Sequence, residues 1–176
     1  MRARKRRAYL EYFHKNAAGE YVYAGDHYAY SGTDAERKRA LTGLWSCLGA
    51  AAALMVLGGC IPVPGLARTW YILIPYVLSV MAVFMGLWSL GELTAGKDPL
   101  REYVYERSVK RLRRRSLEVS ALAALSLIGE LVFAVRTGGF SVSTGLFLGW
   151  EAAASLLSGV ARLVLSAMHW EKQCAP

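Results

Sequence analysis

Four apolar stretches dominate the chain and leave few folds open to it. They run over about residues 40–61, 69–93, 116–135 and 143–168. Each reaches or exceeds the roughly 20 apolar residues that an α-helix needs to cross the hydrocarbon core of a bilayer. A soluble domain of 176 residues could bury a core, but its apolar and charged side chains would be interleaved. Here apolar blocks alternate with strongly basic ones, in a chain that is 55% hydrophobic with a net charge of +8 and a mean hydropathy of +0.27. The links PVPGLAR and RTGGFS are too short for anything but a reversal, so the first and second spans, and the third and fourth, are predicted to form antiparallel helical hairpins. The expected fold is therefore all-α, a four-helix transmembrane bundle over residues 40–176 behind a basic, tyrosine-rich N-terminal segment over residues 1–39.

Orientation follows from the basic residues. Nine Lys and Arg precede the first span, eight lie between the second and third, and each hairpin link holds one, Arg68 or Arg136. The positive-inside bias predicts that both termini and the middle loop face the cytoplasm of a cell membrane. The basic start RARKRR is followed by polar residues rather than a short apolar run with a small-residue cleavage site, so no signal peptide is expected. Arginine exceeds lysine and alanine and glycine are abundant, a composition that points to a GC-rich, bacterial coding sequence.

Boundary signals refine the picture. Thr33-Asp34-Ala35-Glu36 reads as a capping box that starts a helix running into the first span. Asp98-Pro99 reads as an N-cap with proline at the first helical position. From there a helix is predicted to run without a breaker into the third span, as an extension standing out of the membrane. Pro75 should kink the second span or free a carbonyl. EYVY occurs at residues 20–23 and 102–105, a match too short to prefer duplication over coincidence.

Two ionisable groups interrupt the fourth span, Glu151 and Arg162. Eleven residues apart, they share a helix face but stand about 16 Å from each other, so each needs a partner elsewhere. Counted from the span ends, Arg162 is about 7 Å deep and Glu118 about 3 Å, whereas Glu130 and Glu151 both lie beyond about 20 Å. The expectation is an inner ion pair of Arg162 with Glu118, or with Glu92, and an outer pair of carboxylates, Glu130 and Glu151. An uncompensated charge at the bilayer centre costs about 2.5 kcal/mol or more, so such groups pair or work. Two carboxylates in low dielectric form a candidate proton- or cation-binding site.

Other features point to packing and surface. Gly145-xxx-Gly149, Ser155-xxx-Gly159, Gly49-xxx-Ala53 and the series Ser116, Ser120, Ala124 offer close helix approach, by default within the chain, otherwise in a homo-oligomer. Trp45, Trp70, Trp88, Trp150 and Trp170 fall near span ends and read as membrane-interface residues. The N-terminal segment pairs Tyr21 with Tyr23 and Tyr28 with Tyr30 at period two, with Ala24–His27 as a hairpin loop between them. These tyrosines, with Arg111, Arg113, Arg114 and Arg115, suit anionic lipid or a cytoplasmic protein partner better than nucleic acid. Cys47, Cys60 and Cys174 are scattered, which fits neither a disulfide framework nor a zinc site. His14, His27 and His169 lack ligand spacing, and no hydrolase, nucleotide or metalloprotease motif occurs, so no catalytic residue, metal or cofactor is assigned and an enzyme is the least favoured class. Two readings remain. The first is a small proton- or cation-linked transporter or channel-like protein. The second is a non-catalytic membrane anchor or accessory subunit.

Overall fold

The structure, a computed structural model, describes residues 13–15, 19, 21–23, 25–96 and 99–173. Four long helices carry it: α1 (Asp34–Cys60), α3 (Trp70–Ala95), α4 (Glu102–Thr137) and α5 (Val142–Ala167). A short helix, α2 (Pro64–Arg68), fills the first hairpin link. All four long helices are long and apolar enough to cross a membrane, and the chain is a multi-pass membrane protein built as a helical bundle. The two hairpin links lie at one end, the hairpin end. The start of α1, the end of α5 and the α3–α4 connection lie at the other, called the termini end.

The capping box starts α1 as expected. The Thr33 backbone N–H donates to Glu36 Oε2 at 2.8 Å and the Glu36 N–H donates to Thr33 Oγ1 at 3.3 Å. The Thr33 backbone N–H, with help from its hydroxyl, holds the exposed Glu36 carboxyl below the usual carboxylate range. The second cap differs from expectation. Asp98 lies outside the described residues, Pro99 precedes a strand, and α4 begins at Glu102. The chain spends Leu100 and Arg101 on pairing before it turns helical. From Glu102, α4 runs to Thr137 through one π-helical stretch, Glu106–Lys110, as the predicted extension of the third span. Helix α3 continues through Pro75, and the missing proline N–H leaves the Tyr71 carbonyl without its i+4 donor.

The interior of the bundle follows a 3–4 spacing in every helix. Buried positions include Leu41, Leu44, Leu48, Ala51, Met55 and Gly58 on α1, and Ile72, Tyr76, Ser79, Val83, Gly86, Leu90 and Leu93 on α3. On α4 they are Leu112, Ser116, Val119, Ala123, Ser126, Glu130 and Ala134, and on α5 Thr144, Phe147, Glu151, Ala154, Ser158, Ala161 and Leu165. This is the repeat of near-parallel helices packed knobs-into-holes. Around the bundle the order is α1, α5, α4, α3, and the seam between α3 and α1 is the loosest. Two contacts hold that seam near its ends: the Tyr76 hydroxyl donates to the Met55 carbonyl, and Trp45 Nε1 donates to Thr94 Oγ1 at 3.1 Å.

At the termini end, three separate segments form an antiparallel sheet in the order β4 (Leu100–Arg101), β3 (His27–Tyr30), β5 (Trp170–Gln173). Tyr28 stacks on Tyr105 with ring centroids 4.1 Å apart, and Trp170 meets both Tyr30 and Tyr105 edge-on. The Ser31 hydroxyl donates to the His169 carbonyl at 3.0 Å. Two expectations are corrected here. Trp170, expected near a span end, is a strand residue whose ring packs on Tyr30 and Tyr105. The tyrosine pairs do not form one hairpin, because β2 (Tyr21–Tyr23) pairs with β1 (Phe13–Lys15) while β3 pairs with the distant β4 and β5. Period two marks the strands but not their partners; β3 finds aromatic contacts with Tyr105 and Trp170, on the middle loop and the tail. The EYVY copies also part company: residues 21–23 are strand and residues 102–105 are helix.

Candidate functional site: buried carboxyls between α4 and α5

Helices α4 and α5 are held in register by a reciprocal contact. Ser120 Oγ donates to the Ser155 carbonyl at 3.1 Å and Ser155 Oγ donates to the Ser120 carbonyl at 3.0 Å. Gly159 lies next to this contact, and a Cβ there would stand 3.9 Å from the Ser120 hydroxyl, an ordinary van der Waals distance. Small residues on both helices allow this approach, as expected for Ser155-xxx-Gly159. The other small-residue motifs do not work this way. A Cβ on Gly49, Gly145 or Gly149 would meet nothing within 4 Å, so these glycines are not used for packing inside the chain.

The serine contact sets the depth of every polar group on the two helices. At about 1.5 Å per residue, Glu151 lies about 6 Å from it toward the hairpin end, Ser126 about 9 Å and Glu130 about 15 Å. Glu130 therefore sits about 9 Å further out than Glu151 rather than level with it. Counting from span ends missed this because α4 projects past the start of α5 at the hairpin end. The same offset separates the expected inner pair: Arg162 lies about 7 Å beyond Glu118 toward the termini end. Glu118 instead takes Arg114, at 2.9 Å, and Arg115, both from its own helix. Glu92 takes Arg107 at 3.3 Å. Arg162 is half-buried and makes no ion pair among the described residues. Its long stem lets the head reach the interface at that depth.

Glu130 and Glu151 are each only 1% exposed. Both oxygens of both carboxyls are buried; those of Glu151 lack a hydrogen-bond partner among the described residues, whereas the Glu130 carboxyl has the Gly65 backbone N–H beside it. Ser126 and Ser158, on the same inward faces, are fully buried with unpartnered hydroxyls too. The two carboxyls have different neighbours. Glu130 presses against the first turn of α2, where a Cβ on Gly65 would stand 2.6 Å from the Glu130 Cδ. Glu151 lies within electrostatic reach of Tyr76, whose ring packs on Phe147 with centroids 5.7 Å apart. Tyr76 and Phe147, with Val63, Leu66 and Ile72, form an apolar plug at the hairpin end. Sequence reasoning missed Tyr76, Ser126 and Ser158; their 3–4 spacing with the glutamates was the available signal.

The basic surface groups spread along the termini end of α4. Arg111, Arg113 and Arg114 are exposed and Arg115 is partly covered. Glu106 beside Lys110, at 2.8 Å, pushes the lysine pKa up. Tyr21 and Tyr23 lie in β2, and their side chains are outside the described residues, as is Cys174. Cys47 is half-buried and Cys60 exposed, both as free thiols. No cluster of three or more His, Cys, Asp or Glu residues gathers among the described residues. Comparisons with protein-family models, with curated proteins and with solved structures find no match.

Proposed function

We propose that the chain is a small proton- or cation-linked transporter or channel-like protein of the cell membrane, with both termini cytoplasmic. One observation carries this reading: the Glu151 carboxyl is buried in the apolar core of the bundle with no hydrogen-bond partner among the described residues, and Glu130, with only the Gly65 backbone N–H beside it, is buried about 9 Å further along the same interface. An unpaired charge there costs about 2.5 kcal/mol or more. A carboxyl kept in such a place is suited to exchanging its charge with a proton or a bound cation. Ser126 and Ser158 extend the line of polar groups along the α4–α5 interface. The asymmetry of basic residues supports the orientation, with the sheet of β3, β4 and β5 in the cytoplasm.

The test is flux in reconstituted vesicles carrying an internal pH dye. Wild-type protein should dissipate an imposed pH gradient or couple it to a monovalent cation. Glu151→Gln and Glu130→Gln should each slow that flux at least about tenfold, a change of about 1.4 kcal/mol or more in barrier. Flux that survives the double substitution overturns the reading. A second reading, an anchor or accessory subunit, draws on the built sheet at the termini end, whose outer strand β5 exposes Glu171, Lys172 and Gln173. A partner that co-purifies with the intact protein and is lost on deletion of residues 170–176 would favour it.

A further inference from the structure

The loosest seam of the bundle, between α1 and α3, opens at the termini end into a groove of about 550 Å³. Its walls are Trp45, Phe84, Leu87, Trp88 and Ala95, its floor is Gly91, and Glu92 stands at its mouth. A Cβ on Gly91 would meet nothing within 4 Å, so the floor is open space. Depth can be read from α3 itself. Trp70 and Trp88 are 74% and 73% exposed. They stand 18 residues apart, about 27 Å along the helix, close to the thickness of the hydrocarbon core. Trp88 therefore marks one membrane–water interface, and the groove starts in the acyl region and ends at headgroup level.

The mouth of the groove is charged and hydrogen-bonded in place. Trp88 Nε1 donates to Glu92 Oε1 at 3.2 Å, and Arg107 Nε sits 3.3 Å from the same oxygen. Arg107 keeps 59% of its side chain exposed. One turn further along α4, Arg111 is exposed and makes no ion pair among the described residues. Arg107 and Arg111 stand one turn apart, about 6 Å along α4, so two guanidiniums share this stretch with one carboxylate.

We propose that this groove holds one acyl chain of an anionic phospholipid, whose phosphate rests on Arg107 and Arg111. The apolar walls suit a chain and not a polar ligand. The tryptophans sit where lipid glycerol lies. The excess of guanidinium over carboxylate selects an anionic headgroup over a zwitterionic one. A bound lipid would close the seam that α1 and α3 leave open. This inference does not depend on the carboxyls of α4 and α5, which lie elsewhere in the bundle.

The experiment uses the full chain in mild detergent, titrated with phosphatidylglycerol or phosphatidylcholine of the same chains and read by native mass spectrometry. Wild-type protein should keep one phosphatidylglycerol at least about tenfold more tightly than phosphatidylcholine, a factor of ten being about 1.4 kcal/mol. Gly91→Leu fills the floor without a clash and should weaken that adduct about tenfold, the loss of roughly two buried methylenes. Ala95→Leu narrows the same groove and serves if Gly91→Leu fails to fold. Arg107→Gln should remove the headgroup preference while leaving chain binding. Equal retention of the two lipids, or an adduct unchanged in both groove-filling variants, overturns the proposal. So does a dimer that Gly91→Leu dissociates, which would make a second copy the occupant.

Discussion

The two ends of this bundle treat acidic side chains in opposite ways. At the termini end, Glu92, Glu106, Glu118 and Asp26 each meet a cation within 3.3 Å and stay partly in contact with solvent or headgroups. At the hairpin end, Glu130 and Glu151 meet no cation among the described residues and are buried on the side of the apolar plug. The first arrangement is inexpensive and contributes little, because exposed ion pairs in high dielectric are worth about 0–1 kcal/mol. The second is costly, above all at Glu151, which has no polar partner among the described residues and where methionine would fill the same place in the 3–4 repeat; Glu130 at least has the Gly65 backbone beside it. A bundle that only needed to stay folded would not keep them. The contrast separates acids that serve the architecture from acids that burden it.

The sharpest way to break that contrast is to remove one acid from each end. Glu151→Met should stabilise the bundle by about 1–4 kcal/mol, since it replaces an unpartnered buried carboxyl with an apolar side chain of similar volume. Glu118→Met should instead lose a fraction of a kcal/mol, because it frees an exposed arginine, Arg114, and a partly covered one, Arg115. Unfolding in mixed micelles of increasing denaturing detergent measures both. Equal and opposite signs are not required, but a destabilised Glu151→Met would mean that the carboxyl has a structural partner and would place both ends in one class.

Gly65 offers the next test, on the hairpin end alone. A Cβ at this position runs into the Glu130 carboxyl, so Gly65→Ala should cost about 1–3 kcal/mol as an overpacked site. In a Glu130→Ala background the same change should cost much less, and the difference is the coupling between α2 and α4. An unchanged cost would show that the glycine serves its own backbone rather than the carboxyl.

How much of this was readable beforehand depended on what lipid does to sequence patterns. The spans, the hairpins, the capping box at Thr33 and the α4 extension follow from length and composition. The inward faces do not, because the outward faces are equally apolar: Leu156 and Leu163 are 72% and 69% exposed, while Ala154 and Ala161 are fully buried. In such a bundle small and polar residues mark the interior, and the repeat Ser116, Val119, Ala123, Ser126, Glu130 is visible once that inversion is granted. Glu130 and Glu151 stood out as ionisable residues, but their 9 Å offset, roughly six residues of helix, needed the Ser120–Ser155 contact. The sheet of β3, β4 and β5 was hidden for another reason: its strands are two to four residues long and join segments more than 60 residues apart. No local pattern announces such pairing.

Tyr76 tests whether the plug is held by shape or by hydrogen bonding. Its ring is fixed by Phe147, and its hydroxyl donates to the Met55 carbonyl across the α1–α3 seam. Tyr76→Phe keeps the ring and removes the donor, so the loss should be about 1 kcal/mol, the usual net value of one hydrogen bond. Unfolding in the same mixed micelles measures it. A loss of that size would make the hydroxyl a clasp on the seam, and no loss would show that ring packing on Phe147 alone holds the plug.

The smallest effect belongs to the termini end, where it is most informative as an absence. Arg114→Ala breaks the 2.9 Å contact with Glu118, but the arginine side chain is 82% exposed and Arg115 still pairs with the same carboxyl. An i,i+4 pair on an exposed helix face is worth about 0.3–0.5 kcal/mol, and the remaining partner covers part of that. The change should therefore fall below about 0.5 kcal/mol, and it should shrink further at high salt as the charges are screened. Glu118 can spare an arginine because headgroups and water stand ready to replace it. Glu151 has no such reservoir, and the Arg114→Ala and Glu151→Met shifts measured side by side give the distance between the two regimes directly. If Arg114→Ala costs more than about 2 kcal/mol, the paired acids at this end are holding the bundle together and the division drawn between the two ends fails.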